Sequence, residues 1–420
     1  MATPQKLIYG SWTQAWAPLA VASLSGLGLA HVWEFAAVAA KHGGLAFVLA
    51  WLLCMLVLAL PLRMMEIMLG RRSRRGLIEG MAFLTREADA PRFWRGAAWA
   101  ALLAALLGMA GLALLSGWGF SFLGHHLINP VIYTASNAGI EWPAATAGVL
   151  LVAALLSRIG MVRLAPLYFG LWVLVGLLIL AGAVPGINAA SPVLLGFNSA
   201  TLGWSGWVEA ARFALVSLGG GLGLLWAVGA YLPAQRSVSS VALPALLVQV
   251  LLTVLVGLAF SPVVPVAATL PGHSALFDQL PAALTSQGLL AQLLFAAMAL
   301  SALAALATVG EVVKLFLLER GFKDTVAVIA GFVLAAVLAE GLWFGGAVNI
   351  ASGLLAGVRF LLLAVLLGLS VYSGWVMKIS HARKELNLPS EALYNLWRVA
   401  VRILCPLAII FVLVGSLWSR

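Results

Sequence analysis

Residues 217–223 read Ser-Leu-Gly-Gly-Gly-Leu-Gly in the middle of an apolar stretch that runs from residue 204 to residue 231. Glycine weakens a helix because its backbone is unrestricted and poorly shielded from the surroundings. Three adjacent glycines therefore predict a break in this span. Hydrocarbon tolerates an irregular backbone only where it lines a cavity or is covered by protein. The stretch thus predicts an interrupted membrane helix that faces the inside of the molecule.

The first apolar stretch contains a similar interruption, because residues 23–28 read Ser-Leu-Ser-Gly-Leu-Gly. Unwinding is expected near 25–28 here and near 218–221 in the sixth stretch. Small residues also allow close helix packing, an alternative that applies more readily to Gly26 and Gly28 than to the glycine triplet. If spans one to five and spans six to ten are repeats, each repeat begins with a broken helix. Because five is an odd number, the second repeat enters the membrane from the opposite side. This inverted repeat places discontinuous helices at the bilayer midplane.

The composition agrees with a membrane protein, since 63% of the residues are apolar and only 9% are charged. A soluble domain usually carries about 25% charged residues, and a helix crosses the bilayer core with about 20 residues. The formal net charge is +10, but the basic residues lie between the apolar stretches, as a membrane topology requires, and do not predict a nucleic-acid partner. Eleven spans are predicted, at 13–40, 45–70, 94–123, 143–158, 163–184, 204–231, 239–261, 287–318, 323–342, 348–379 and 391–418.

The predicted fold class is an all-α membrane protein with a 5+5 inverted repeat and one extra C-terminal helix. The first repeat is expected over 1–184, the second over 185–380 and the eleventh helix over 381–420. Basic residues concentrate after the second span, at 71–75, and in alternate connections thereafter. The positive-inside rule therefore places the N-terminus in the cytoplasm and the C-terminus outside. A bacterial inner membrane is the expected location.

Three motifs in the first two spans carry a family resemblance. Residues 28–36 read GLAHVWEFA, residues 42–47 read HGGLAF, and Pro61, Glu66, Gly70 and Arg71 follow at the spacing P-x-x-x-x-E-x-x-x-G-R. The chain resembles the neurotransmitter:sodium symporters, in particular their bacterial amino-acid-transporting members. Their corresponding patterns are G-L-G-N-x-x-R-F-P and N-G-G-G-A-F. The resemblance implies the interrupted-helix fold, and it marks Trp12, Glu66 and Glu311 as structural positions.

The resemblance also implies two sodium positions, both altered here. The first corresponds to His31, Ser217 and Gln249, of which the last two still offer oxygen atoms. The second normally uses two adjacent hydroxyls of the eighth helix, which are replaced by Ala304 and Ala305. Sodium or a proton is therefore the expected coupling ion, and no other cofactor is expected. The residues expected to bind or couple it are Leu24, Gly26, Leu27, His31, Ser217, Gln249 and Ser301.

The implied solute site is mainly apolar. The family tyrosine that binds a substrate carboxylate corresponds to Leu112, so a carboxylate would rely on backbone N–H groups of the first break. The residues expected around the solute are Ser25, Gly26, Leu27, Gly28, Leu112, Val216, Leu218, Gly219, Gly220, Leu222 and Val309. The expected gate residues are Glu34, where the family has an arginine, with Tyr231 and Asn349.

Several ionisable residues lie at membrane depth, where each needs a partner or a function. His31 and Glu34 are neighbours on one helix face, either as a self-satisfied pair or as a protonatable gate. Glu66 is expected to accept backbone N–H groups freed by the sixth-helix break. Arg359 needs an acceptor, with Glu34, Glu66 and Glu311 as candidates.

The leading functional prediction is a secondary active transporter, a symporter, for an amino acid or related small organic solute. The partners expected are that solute and the lipid bilayer, and the oligomeric state stays open. The alternative is a transport-defective relative that acts as a membrane sensor or interaction subunit. An enzyme is not predicted, since the sequence contains no Walker A motif, metal-ligand spacing or nucleophile elbow.

Overall fold

A computed structural model describes residues 10–27, 30–128, 139–188, 195–261, 288–344 and 348–418. Within these ranges the backbone is helical, with an isolated antiparallel bridge between Gly44 and Phe197. The helices are α1 (Ala17–Leu27), α2 (Phe35–Lys41), α3 (Leu45–Cys54), α4 (Leu60–Ser73), α5 (Leu77–Glu87), α6 (Gly96–Ile128), α7 (Glu141–Ile159), α8 (Ala165–Asn188), α9 (Ser199–Ser217), α10 (Leu224–Ala230), α11 (Ser239–Phe260), α12 (Leu289–Glu319), α13 (Asp324–Phe344), α14 (Val348–Val371), α15 (Ile379–Leu386), α16 (Glu391–Val399) and α17 (Cys405–Trp418).

In the described part of the chain, nine helices are long and apolar enough to cross a membrane. They are Leu45–Ser73, Arg92–Leu127, Glu141–Ile159, Ala165–Val184, Ser239–Phe260, Leu289–Glu319, Asp324–Phe344, Gly357–Val376 and Glu391–Gly415. The first and sixth predicted spans are not among them, because α1 and α10 are short, with 11 and 7 residues, and α9 is long enough but less apolar. Large apolar side chains such as Leu155, Leu177 and Val337 point outward, which is typical of helices that face lipid. The prediction of an all-helical membrane protein is confirmed, whereas the count of eleven spans stays a prediction.

The sixth span is broken where the glycines predict. Helix α9 ends at Ser217 and α10 begins at Leu224. Between them, Gly219, Gly221 and Gly223 have φ values of 67°, 79° and 74°. Glycine adopts this left-handed region without the steric penalty that a side chain would bring. The break is therefore a property of the local sequence.

The expectation that the first span unwinds from Ser25 onward is wrong for the described residues. Helix α1 is regular through Leu27, and a 3₁₀ turn covers Ala30–Glu34 before α2. The physical reason lies in packing, because a Cβ on Gly26 would stand 2.6 Å from Cδ of Gln249. Gly26 thus serves the close approach of α1 and α11 rather than unwinding. Gly28 lies outside the described residues.

The two longest helices, α6 and α12, form the centre of the bundle. The Ser116 hydroxyl donates to the Ala299 carbonyl over 2.8 Å, and a Cβ on Gly119 would stand 2.8 Å from Cβ of Ala299. Small residues allow such close contact between membrane helices. Helix α1, which carries several of the predicted ion and solute positions, packs against α12.

The basic connections gather at one end of the bundle. Arg72, at the end of α4, forms ion pairs with Glu87 and, over 3.2 Å, with Glu385 of α15. Arg71 donates to the carbonyls of Ala234 and Glu385 over 2.7 and 3.0 Å. Connections far apart in sequence therefore share one face of the molecule, which we call the basic end.

Candidate functional site

Helix α4 holds the sixth-helix break through a buried carboxylate. Glu66 is fully buried, and its Oε2 accepts the Gly221 N–H over 3.0 Å. Backbone contacts bring α4 and α10 unusually close, because a Cβ on Gly70 would stand 2.0 Å from the Trp226 carbonyl oxygen and one on Gly229 would stand 2.1 Å from that of Ile67. The carboxylate thus satisfies a donor at the N-terminal side of α10, where helix dipoles favour negative charge.

A second buried contact reaches the other side of the break. The Gln249 amide donates to the Ser217 carbonyl, at the end of α9, and its oxygen accepts a hydrogen bond from the Arg63 guanidinium. The Arg63 and Gln249 side chains are both fully buried. The sequence predicts Ser217 and Gln249 as neighbours, but it does not identify Arg63. An arginine three residues before Glu66 in an apolar span is the signal that would have pointed to it.

At the first implied ion position, Gln249 and Ser217 already form hydrogen bonds within the protein. Its amide oxygen, on Gln249, already accepts from a cationic group, and the Ser217 hydroxyl donates to the Ala214 carbonyl over 3.0 Å. A hard cation needs about six oxygen ligands. These two residues do not supply a free cluster of oxygens as they stand. The His31 side chain lies outside the described residues.

The second implied ion position is apolar. Ala304 and Ala305 are both buried on α12, and neither side chain carries an oxygen. The nearest hydroxyls bond to their own helix, since Ser301 donates to the Met298 carbonyl over 3.0 Å and Thr308 donates to the Ala304 and Ala305 carbonyls. The hydroxyl of Ser301 thus already donates to a backbone carbonyl. Leu24, whose carbonyl was expected to contribute, is buried on α1, and the Leu27 side chain lies outside the described residues.

At the basic end, the segment before α1 is fastened across α10. The Trp12 indole N–H donates to the Val228 carbonyl over 3.0 Å, and its ring meets Tyr231 edge-on at 6.0 Å. The Tyr231 hydroxyl donates to Glu311, which also faces the Lys314 ammonium at 3.4 Å. Three residues singled out from the sequence, Trp12, Tyr231 and Glu311, thus form one connected group. It connects the segment before α1 with α10 and α12.

At the opposite end, the acceptor of Arg359 is identified among the three candidates. Its guanidinium lies 3.8 Å from the Glu34 carboxylate, so Glu66 and Glu311 do not serve this role. Arg212 and Glu209 of α9 form an adjacent ion pair. The sequence paired Glu34 with Asn349, whose side chain lies outside the described residues. The ion pair instead joins an acid in the first span to a base in the tenth, because α14 places Arg359 over the 3₁₀ turn.

The predicted solute-contacting side chains that the structure describes are buried inside the bundle. Leu112, Val216, Leu222 and Val309 are all buried, from α6, α9, the break and α12. Leu218 and Gly220 are buried beside them, and Gly219 lies in the same turn. Ser25 and Leu27 have side chains outside the described residues. A cavity lined by Glu34, Arg212, Phe213, Val216 and Arg359 has room for about one water molecule.

Comparison with known proteins points to a single family. The family model described as the sodium:neurotransmitter symporter family matches residues 11–142. An uncharacterized sodium-dependent transporter of Bacillus subtilis, YhdH, is 27% identical over 61% of this chain and 60% of its own length. An uncharacterized sodium-dependent transporter of Haemophilus influenzae is 24% identical over 93% of this chain and 94% of its own length.

The fold is also that of a solved structure. The crystal structure of MhsT in complex with L-phenylalanine matches 97% of this chain and 99% of that chain with a TM-score of 0.81. The two sequences are 19% identical, so this match concerns the fold alone. Together the matches confirm the resemblance that the sequence motifs indicate, and the family is one of transporters rather than enzymes.

Proposed function

We propose that this chain, a relative of the sodium:neurotransmitter symporters, is a secondary active transporter that moves a small organic solute across a bacterial inner membrane. The observation that carries the proposal is the break between α9 and α10, which is held by buried polar groups. A buried break of this kind frees backbone donors and acceptors at membrane depth. Discontinuous helices serve transporters in this way because their exposed ends bind ions and solutes.

The proposed solute is an amino acid, or a related compound, with an apolar portion. The wall formed by Leu112, Val216, Leu222 and Val309 offers no side-chain hydrogen bond. A polar headgroup would instead use backbone groups that the break between α9 and α10 leaves free, including the carbonyls near Leu218. The MhsT complex with L-phenylalanine supports apolar amino acids as the first solutes to test.

The proposed gates are the two closed ends of the bundle. Opening toward the basic end requires Trp12 to leave α10, and opening toward the other end requires Glu34 and Arg359 to separate. Asn349 is proposed to assist that second gate. We place the basic end in the cytoplasm, since basic connections are retained there. The solute is exposed to one side at a time as the two gates alternate.

The coupling ion is proposed to be sodium or a proton. The names of the two bacterial relatives favour sodium, whereas the loss of hydroxyls at Ala304 and Ala305 weakens one sodium position. If a proton couples transport, His31 is the proposed carrier, because imidazole titrates near physiological pH. The two alternatives differ in whether uptake follows a sodium gradient or a pH gradient.

Uptake by proteoliposomes tests the function. Radiolabelled L-phenylalanine, L-leucine and their decarboxylated amines are presented with a sodium gradient or a pH gradient, imposed separately. At least one apolar solute is expected to accumulate under one gradient. Val216→Trp fills the cavity and is expected to abolish this uptake, whereas Val337→Trp, on the outer face of α13, leaves it unchanged.

Two results would contradict the proposal. One is a folded protein that binds apolar amino acids but accumulates none of them under either gradient, which is the behaviour of a sensor. The other is thermal stabilisation by sugars alone, because an apolar wall does not select strongly polar solutes. Loss of uptake in His31→Asn, together with accumulation in sodium-free buffer, would assign the coupling to protons.

A further inference from the structure

Arg63 is a buried cation that the proposed function does not use. Its side chain is fully buried on α4, within the membrane-spanning segment Leu45–Ser73. A charge at this depth is retained only with a partner or a function. Arginine stays protonated in such a setting, whereas lysine readily loses its proton when buried.

The contacts of Arg63 lead to the end of α9. Its Nη2 donates to Gln249 Oε1, and the Gln249 amide in turn donates to the Ser217 carbonyl. Ser217 is the last residue of α9. The last carbonyls of a helix lack intrahelical partners and gather partial negative charge. A positive group connected to that carbonyl through one amide therefore stabilises this side of the break.

The carboxylate of the neighbouring acid, Glu66, contacts a backbone group rather than Arg63. Glu66 lies one turn further along α4, but its Oε2 accepts the Gly221 N–H on the opposite side of the break. Among the described residues, Nε and Nη1 of Arg63 contact no acceptor. The two charged residues of α4 thus face the two sides of the break. Glu66 accepts a backbone N–H on the α10 side, and Arg63, through Gln249, is connected to a backbone carbonyl at the end of α9.

We infer that the Arg63 guanidinium permanently supplies the positive charge at the first implied ion position, so that this position binds no sodium while Arg63 is present. The amide oxygen that a cation would use already accepts from Arg63. A second cation beside a buried guanidinium would be repelled, because charges are weakly screened away from water. The inference rests on the proposed function only in assigning this position to ion coupling.

The packing around Gln249 keeps this arrangement in place. A Cβ on Gly26 would stand 2.6 Å from Cδ and 2.6 Å from Nε2 of Gln249. The side chain is therefore confined between α1 and α4, with its oxygen toward Arg63 and its amide toward Ser217. Removing the guanidinium would release the oxygen of Gln249, whose amide nitrogen contacts Ser217, and the oxygens of both residues are acceptable ligands for a hard cation.

Equilibrium binding of ²²Na⁺ to the full chain in lipid nanodiscs, without solute, tests the inference. The variants are Arg63→Met, which removes the charge, and Ser217→Ala, which removes the hydroxyl of the implied site. The wild type is expected to bind no sodium at this position. Arg63→Met is expected to gain one saturable sodium ion per chain. Adding Ser217→Ala to Arg63→Met is expected to weaken that gain at least tenfold.

Three outcomes would overturn the inference. They are sodium binding by the wild type that Ser217→Ala reduces, a folded Arg63→Met variant without the gain, and a gain that Ser217→Ala leaves unchanged. If Arg63→Met does not fold, the comparison of the wild type with Ser217→Ala decides alone. The measurement needs neither solute nor gradient, so a chain that transports nothing would contradict the proposed function without altering this result.

Discussion

At the scale of single residues, the buried charges of α4 are explained by the backbone they face. Glu66 is matched to a freed N–H and Arg63, through Gln249, to a freed carbonyl. Neither group needs to reach solvent, because the break itself provides the opposite partial charges. The buried charged side chains of α4 are thus explained by the interrupted helix, without a bound ligand.

Replacing Glu66 with glutamine is expected to destabilise the protein. The substitution keeps an acceptor of similar shape but removes the charge, and a hydrogen bond to a charged group contributes about 2 kcal/mol. Thermal unfolding in detergent should show a lower midpoint than the wild type. Glu391→Gln, at an exposed acid of α16, is the matched control and should change the midpoint little; equal midpoints for the two variants would refute the assigned contact.

At the scale of helices, glycine has two different uses in the two broken spans. Gly221 has a positive φ, and a Cβ added to it would stand 2.9 Å from the Leu362 carbonyl oxygen. Gly26 is helical and makes room for Gln249. The same residue type therefore marks a break in one span and a packing contact in the other. Neighbouring residues in the sequence do not distinguish these uses, since the deciding contact comes from another helix.

The segment before α1 is expected to control access from the basic end. Trp12→Ala removes the indole that bonds to the Val228 carbonyl and packs on Tyr231. A cysteine at Val309, in a background without Cys54 and Cys405, should then react faster with a water-soluble maleimide. Trp375→Ala is the matched control, because Trp375 bonds to the Arg402 carbonyl elsewhere in the bundle. An unchanged labelling rate in Trp12→Ala would show that this contact does not restrict access.

At the scale of the whole molecule, side-chain contacts bridge both ends of the bundle. Trp12, Tyr231 and Glu311 bridge the basic end, and Glu34 with Arg359 bridges the other. A cavity about the size of one water lies beside Glu34 and Arg359. Binding a solute is therefore expected to require the contacts at one end to separate.

The two termini are expected on opposite sides of the membrane. An odd number of spans and cytoplasmic basic connections place the C-terminus outside. A C-terminal alkaline phosphatase fusion should be active in bacteria, and a C-terminal green fluorescent protein fusion should be dark. A fluorescent protein fused after residue 75, in the basic connection, should be bright. A bright C-terminal fusion would instead indicate an even number of spans and would remove the predicted eleventh crossing.

The sequence by itself determined the membrane class, the broken sixth helix and the importance of Glu66. Each depends on properties that neighbouring residues share: an apolar run long enough to cross lipid, and a glycine triplet whose backbone must be covered. A family resemblance, rather than these local properties, indicated Trp12, Ser217, Gln249 and Glu311.

Tertiary structure decided the partners. Arg63 meets Gln249 across 186 positions of sequence, Arg359 pairs with Glu34 rather than with Glu66 or Glu311, and Gly26 leaves room for Gln249 against a regular helix. No local pattern encodes these choices, since they depend on which helices come to lie side by side. Local sequence determines where a chain must be covered or broken, whereas packing determines which distant side chain satisfies the groups that the break leaves free.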